Sequence, residues 1–209
     1  EVVTRKDVKR IFKEGLNLLN SIPIKMLPED EQVKIGIVGE IYVVMESSVN
    51  MNIEEQINYL GCEVNRSQYL SEWLDDALIP KFGFLKKFSH LPVQLKGSKY
   101  IKIPIGGHAR HTVGQVVDYK DRGFDGVVHL MPFACLPELV SQSVMPKISQ
   151  DVGIPVLTLA FDEQTGLANN LTRLEAFIDL IRRNKKLKSN MINENTNQIS
   201  GGSLLLQDI

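Results

Sequence analysis

Cys135 is the residue of this chain best placed to do chemistry. It stands in the run His129-Leu130-Met131-Pro132-Phe133-Ala134-Cys135-Leu136-Pro137-Glu138. A short apolar strand pattern, Gly126-Val127-Val128, comes before it, and a helical pattern starts near Pro137. A thiol at the turn from strand to helix lies where open α/β sheets place their ligands. The positive end of a helix also favours a thiolate, which would be a nucleophile or a metal ligand. The competing reading is a small thiol packed under the sheet edge, because free cysteine is among the most buried residue types.

Three other segments follow strand patterns and carry polar side chains. The first is Gly39-Glu40-Ile41-Tyr42, continuing to Glu46, Ser47, Ser48, Asn50 and Asn52. A helix starting near Ile53 offers free N–H groups to an anion, and Asn50 or Asn52 suits equally well as its N-cap. Glu40, beside an apolar run, is harder to explain as scaffold, since Glu is rarely buried without a partner. The second is Gly106-Gly107-His108-Ala109-Arg110-His111-Thr112-Val113-Gly114. Its glycines let backbone approach a ligand, and His108, Arg110 and His111 crowd one turn that suits a phosphate or carboxylate or the orienting of a proton donor, while a plain glycine turn with surface histidines is the alternative. The third is Phe161-Asp162-Glu163-Gln164-Thr165-Gly166, in which Asp162 and Glu163 suit a cation, an ion pair with Arg173, or a helix cap. Arg173 and Glu175 on the following helix are also candidates to pair with each other. His129, within the third strand, reads as structural or as the floor of a cleft.

Several familiar catalytic motifs are missing. The glycine loop is neither GxxxxGK[ST] nor GxGxxG, and GxSxG is absent, so no Walker loop, dinucleotide fingerprint or nucleophile elbow is present. Cys135 with His108 or His111 remains a conceivable thiol–imidazole pair.

The elements that must hold these residues follow from periodicity. Val8 to Leu19 predicts an amphipathic helix with Val8, Ile11, Phe12, Leu16 and Leu19 on one face. Lys34 to Val44 predicts a first strand, apolar throughout as a strand covered on both faces should be. Further strands are predicted at Glu63–Ser67, Asp125–Leu130 and Pro155–Phe161. Helices are predicted at Ile53–Leu60, Tyr69–Ile79, Thr112–Arg122, Leu136–Val152 with a bend near Pro146, and Leu171–Arg183. Pro80 to Gly97 fits no single pattern, although Phe84 to Phe88 has a helical trace. Alternating strands and helices predict a parallel sheet with helices on both faces, flavodoxin-like or Rossmann-like and doubly wound. All four candidate segments then fall on one edge. The expected organisation is an N-terminal helix and linker over 1–30, an α/β domain over 31–183, and a disordered polar tail over 184–209. Leu204-Leu205-Leu206 in that tail suits either a docking contact or a frayed end.

Composition excludes some classes. A net charge of −1 gives no basic surface for nucleic acid and no polybasic run for a membrane. No apolar run reaches the ~20 residues of a spanning helix, and there is no signal-peptide pattern. Cys62 and Cys135 form neither CxxC nor a metal-finger spacing, which predicts a reducing, cytoplasmic location. The chain opens on Glu1-Val2-Val3 rather than Met, consistent with a fragment or a processed chain.

The segments GEIYV, GGHARHTVG, DGVVHLMPFACLPE, PVLTLAFDEQTG and LTRLEAFIDL, spread over Lys34 to Ile181, resemble the 2-hydroxyacyl-CoA dehydratase D-component superfamily. The resemblance is nearest to the branch found with CoA-enzyme activases and double-cubane cluster proteins. MPFACLPE followed by FDEQTG is its most specific part. The resemblance implies paired flavodoxin-like domains whose cysteines hold a 4Fe–4S or related iron–sulfur cluster between them. It implies an ATP-dependent activase as partner, which supplies a low-potential electron. In the dehydratases that electron permits loss of water from a 2-hydroxyacyl-CoA through a ketyl radical, so a CoA thioester becomes a candidate substrate. By the same resemblance Cys135 would be a metal ligand, with the loops at Gly107-His108 and Asp162-Glu163 lining the same cleft, while Glu40 is a cofactor-binding candidate from its own position. Cys62 matches no family motif, so the remaining cysteine ligands would come from an N-terminal domain or partner subunit outside this chain. This chain alone is then expected to be inactive, and it carries no activase-type ATPase motif. The alternative is a non-catalytic α/β module that binds an anionic small molecule, such as a CoA or nucleotide moiety, or docks a partner protein.

Overall fold

The computed structural model describes residues 4–24, 27–28, 31–69, 91–103, 105–164 and 166–202. Helix α1 spans Arg5–Asn20, strand β1 Val33–Gly39, helix α2 Ile41–Met45, helix α3 Ile53–Tyr59 and strand β2 Cys62–Arg66. Helix α4 spans Leu91–Ser98, α5 Ala109–Asp121, β3 Gly126–Pro132, α6 Leu136–Val152, β4 Val156–Phe161 and α7 Leu167–Gly202. The helical patterns at Tyr69–Ile79 (beyond Tyr69 itself) and Phe84–Phe88, and the Leu204–Leu206 run, lie outside the described residues.

The sheet is parallel throughout, in the order β2-β1-β3-β4. This is the doubly wound architecture expected from the alternating pattern. The chain leaves β1 toward β2, then returns to the other side of β1 to lay down β3. The switch point therefore lies between β1 and β3, and the crevice opens at their carboxyl ends.

Side chains alternate across each strand, so the two faces carry two separate cores. On one face Ile35 and Ile37 of β1 and Leu130 of β3 pack with Ile53 and Ile57 of α3 and with Leu174, Phe177, Ile178 and Ile181 of α7. On the other, Val38 and Val127 pack with Val113, Val116 and Tyr119 of α5 and with Met145 and Ile148 of α6. The ring of Tyr119 lies on Gly36, where an added Cβ would come within 2.4 Å of it. Helices α4 and α5 approach backbone to backbone. A Cβ on Gly97 would lie 1.9 Å from the Arg110 carbonyl oxygen, and one on Gly114 would lie 1.9 Å from that of Val93.

Helices α1, α5 and α7 begin three or four residues before their predicted starts, and two boundaries depart further from the sequence pattern. The apolar run Lys34–Val44 is not one strand. Gly39 takes φ +142°, a conformation that strongly favours glycine, and a Cβ there would meet the Leu130 carbonyl oxygen at 1.8 Å. Glu40 then caps α2, so Ile41 to Val44 turn helical. The final helix does not stop at Arg183 but continues through the polar segment to Gly202. Side chains beyond Arg183 still bind the body of the domain. Lys185 Nζ donates to the Gln32 carbonyl and lies 3.0 Å from Asp125 Oδ2.

α1 stands apart from both cores. Thr4 and Asp7 form a capping box at its start, yet none of its residues is buried.

Candidate functional site

The residues that follow β1, β3 and β4, together with the turn before α5, sit at the carboxyl edge of the sheet. Each carries candidates from the sequence, and the structure gives several of them structural work.

Glu40 is half-buried, and its carboxylate accepts from the Val43 N–H at 3.0 Å, which makes it the N-cap of α2. Asn52 takes a left-handed conformation and makes no side-chain cap. The cap on α3 comes from Asn50 instead, whose Oδ1 accepts from the Ile53 N–H at 3.3 Å while its Nδ2 donates to the Val43 carbonyl at 2.8 Å. Beside this segment is a cavity of about 300 Å³ lined by residues including Ser47, Asn50, Glu54, Glu55 and Arg66. Among the described residues of its lining, Arg66 is the cation, 3.7 Å from Glu54 and stacked on Tyr69.

In the second segment Gly106 and Gly107 both take positive φ. A Cβ on Gly107 would come within 2.8 Å of Pro137, so this loop rests on the turn that carries Cys135. The three basic residues here separate. Arg110 donates to the Ile101 and Lys102 carbonyls at 3.1 and 2.8 Å, and His111 is buried on α5. His108, half-exposed, stands at the N-cap position of α5 without a side-chain cap bond.

Cys135 is the N-cap residue of α6, half-exposed, with no side-chain capping bond. Ala134 before it is held at φ +61°, unusual for a residue with a Cβ and often found at functional turns. The turn closes through the Cys135 N–H to the Pro132 carbonyl at 3.2 Å, and Phe133 N–H ties it to Phe161 of β4 at 2.8 Å. Pro137 in the first turn needs no N–H partner there.

Asp162 and Glu163 are exposed after β4, and Asp162 accepts from the Gln164 N–H at 2.9 Å. Arg173 donates to the Thr158 carbonyl of β4 at 2.8 Å.

Beneath the edge lies a buried polar chain centred on His129, which the sequence reads as structural or as the floor of a cleft. His129 Nε2 is 2.9 Å from Glu138 Oε2, and His129 Nδ1 is 3.1 Å from Thr158 Oγ1. Thr112 donates to Glu138 Oε1 at 3.1 Å. His129 and Glu138 are 0% and 1% exposed. The sequence held a clue, since an ionisable residue inside an otherwise apolar strand requires a partner and a glutamate stands nine positions on.

The two cysteines cannot bind the same metal ion. Cys62 opens β2, in register with Val33 at the start of β1, while Cys135 follows the end of β3. They therefore sit at opposite edges of the sheet, ~20 Å apart by strand length. Cys62 is buried in the first core, where burial pushes its thiol pKa up against the opposing pull of Arg182. Among the described residues no group of three or more His, Cys, Asp or Glu side chains is arranged to hold a metal ion.

Among the described residues no helix is long and apolar enough to cross a membrane. No family model matches the chain. No curated protein matches it either. Among solved structures, the crystal structure of the iL-17 receptor B SEFIR domain is similar over 74% of this chain and 98% of that one, at 14% identity and a TM-score of 0.37. A likeness that weak carries no argument about what this chain does.

Proposed function

We propose that this domain belongs to an iron–sulfur system related to the 2-hydroxyacyl-CoA dehydratases and supplies Cys135 as one ligand of a 4Fe–4S-type cluster. The observation that carries the reading is Cys135 itself, a free, half-exposed thiol at the switch point, on a turn held in an uncommon backbone conformation. The sequence resemblance around MPFACLPE and FDEQTG supports it. So do exposed apolar side chains on the segments that reach this edge. Tyr42, Phe133 and Leu136 are 60%, 71% and 66% exposed. Apolar side chains around a lone ligand suit a face covered by a second domain, which would bring the remaining cysteines.

When bound, the cluster would supply low-potential electron transfer, with an ATP-dependent activase as donor. This chain's residues would hold one thiolate, exclude water with Phe133 and Leu136, and present His108 beside the cleft. Asp162 and Glu163 would border the edge from the β4 side. Two unpaired cysteines support a reducing, cytoplasmic setting. The alternative of an anion-binding module is less well supported, because Arg110 is committed to backbone carbonyls and Arg66 is flanked by acids.

The test is iron and acid-labile sulfide per chain, measured anaerobically on the full-length protein and on its Cys135→Ala and Cys62→Ala variants. Cluster lost from Cys135→Ala and retained in Cys62→Ala is the expected result. Iron retained by Cys135→Ala, or absent from the parent, overturns the reading.

A further inference from the structure

We infer that Glu138 is the positioning residue of the carboxyl edge: a single buried carboxylate that holds the Cys135 turn in register with the other segments. The inference rests on Cys135 as the centre of this edge, not on what Cys135 binds.

Glu138 lies three residues into the turn that begins at Cys135, in the first turn of α6. One of its oxygens meets His129 of β3, and His129 continues to Thr158 of β4. The other accepts from Thr112 of α5, whose hydroxyl also lies 3.4 Å from the Gly39 carbonyl at the end of β1. The Glu138 side chain thus ties α6 directly to β3 and α5 and, through His129 and Thr112, to β4 and the end of β1. Each lies next to a candidate segment: Gly39 before Glu40, Thr112 after the Gly107–His108 loop, and Thr158 before Asp162. The contact of Gly107 with Pro137 presses the glycine loop onto the same turn.

A capping role alone does not explain this arrangement. Cys135 receives no side-chain capping bond, and both Glu138 oxygens point to other elements. Nor does the network require a charge. A glutamine could accept from Thr112 and donate to His129 Nε2, with His129 Nδ1–H donating to Thr158. Geometry and charge can therefore be separated by one substitution.

The experiment is hydrogen exchange with mass-spectrometric readout, together with the iodoacetamide alkylation rate of Cys135, on iron-free full-length parent, Glu138→Ala, Glu138→Gln and Thr112→Val. In Glu138→Ala, exchange at 106–109 and 133–137 and alkylation of Cys135 are expected to speed up together by about ten-fold, as for local opening after loss of a buried hydrogen-bond network. Exchange in α3 and β2 should not change. Glu138→Gln should stay near the parent. Thr112→Val, which cuts only the tie to α5, should loosen the same two segments, and it carries the test if Glu138→Ala fails to fold. Loosening confined to 133–137, opening that spreads to α3 and β2, or a Glu138→Gln variant that behaves like Glu138→Ala would each overturn the inference. None of these readouts depends on iron, so a failed cluster assignment would leave them interpretable.

Discussion

His129 and Glu138 are buried together on β3 and α6, with donor and acceptor groups matched at 2.9 Å. Such a pair is costly to break from one side, because the partner left behind cannot reach water. His129→Ala is accordingly expected to destabilise the fold by about 3–5 kcal/mol, read from urea unfolding, and a loss under about 1 kcal/mol would show that Glu138 finds water or another partner. Glu40 shows the opposite case. From the sequence it looked like a carboxylate in search of a ligand, yet its oxygen is used on a backbone N–H three residues on. An N-cap and a ligand-binding acid can carry the same residue type after a strand, and only the local backbone path tells them apart.

Between elements, close approach does the positioning. α4 lies on α5 because Gly97 and Gly114 present no side chain at the crossing. Lys96 of α4 reaches Asp118 at 2.6 Å and Asp121 at 2.9 Å across the same contact. Gly114→Ala would place a carbon against the Val93 carbonyl, which is backbone and cannot swing aside. The expected cost is about 1–3 kcal/mol by thermal unfolding, and an unchanged melting temperature would mean that the two helices part freely. The amphipathic pattern of α7 was readable from the sequence because its buried apolar residues recur at helical spacing, as in Leu174, Phe177, Ile178 and Ile181. The break after Gly39 was not readable, since an apolar run looks the same whether it continues as strand or turns into a buried helix.

At the scale of the molecule, the four-stranded sheet and its two cores account for nearly all of the apolar burial among the described residues, and α1 adds none. Deleting residues 1–24 is therefore expected to change unfolding free energy by less than about 0.5 kcal/mol, as for other surface changes. A larger loss would show that the apolar face of α1 packs on the domain in solution. That face includes Val8, Ile11 and Phe12, all more than half exposed.

The sequence by itself determined the α/β class and the parallel sheet, because period-two and period-3.6 patterns report which faces are buried. It also placed Cys135, the Gly106–Gly107 turn and Asp162 after or between elements that reach one edge, because parallel topology leaves them no other place. Only the tertiary structure decided which polar residues meet. Thr112, His129, Glu138 and Thr158 come from α5, β3, α6 and β4, and their contact depends on how helices stack across the sheet. The separation of Cys62 from Cys135 also came from strand order and direction, which set which ends of β2 and β3 share an edge. Periodicity records burial one element at a time, while a site is built from distances between elements, and those are settled by packing.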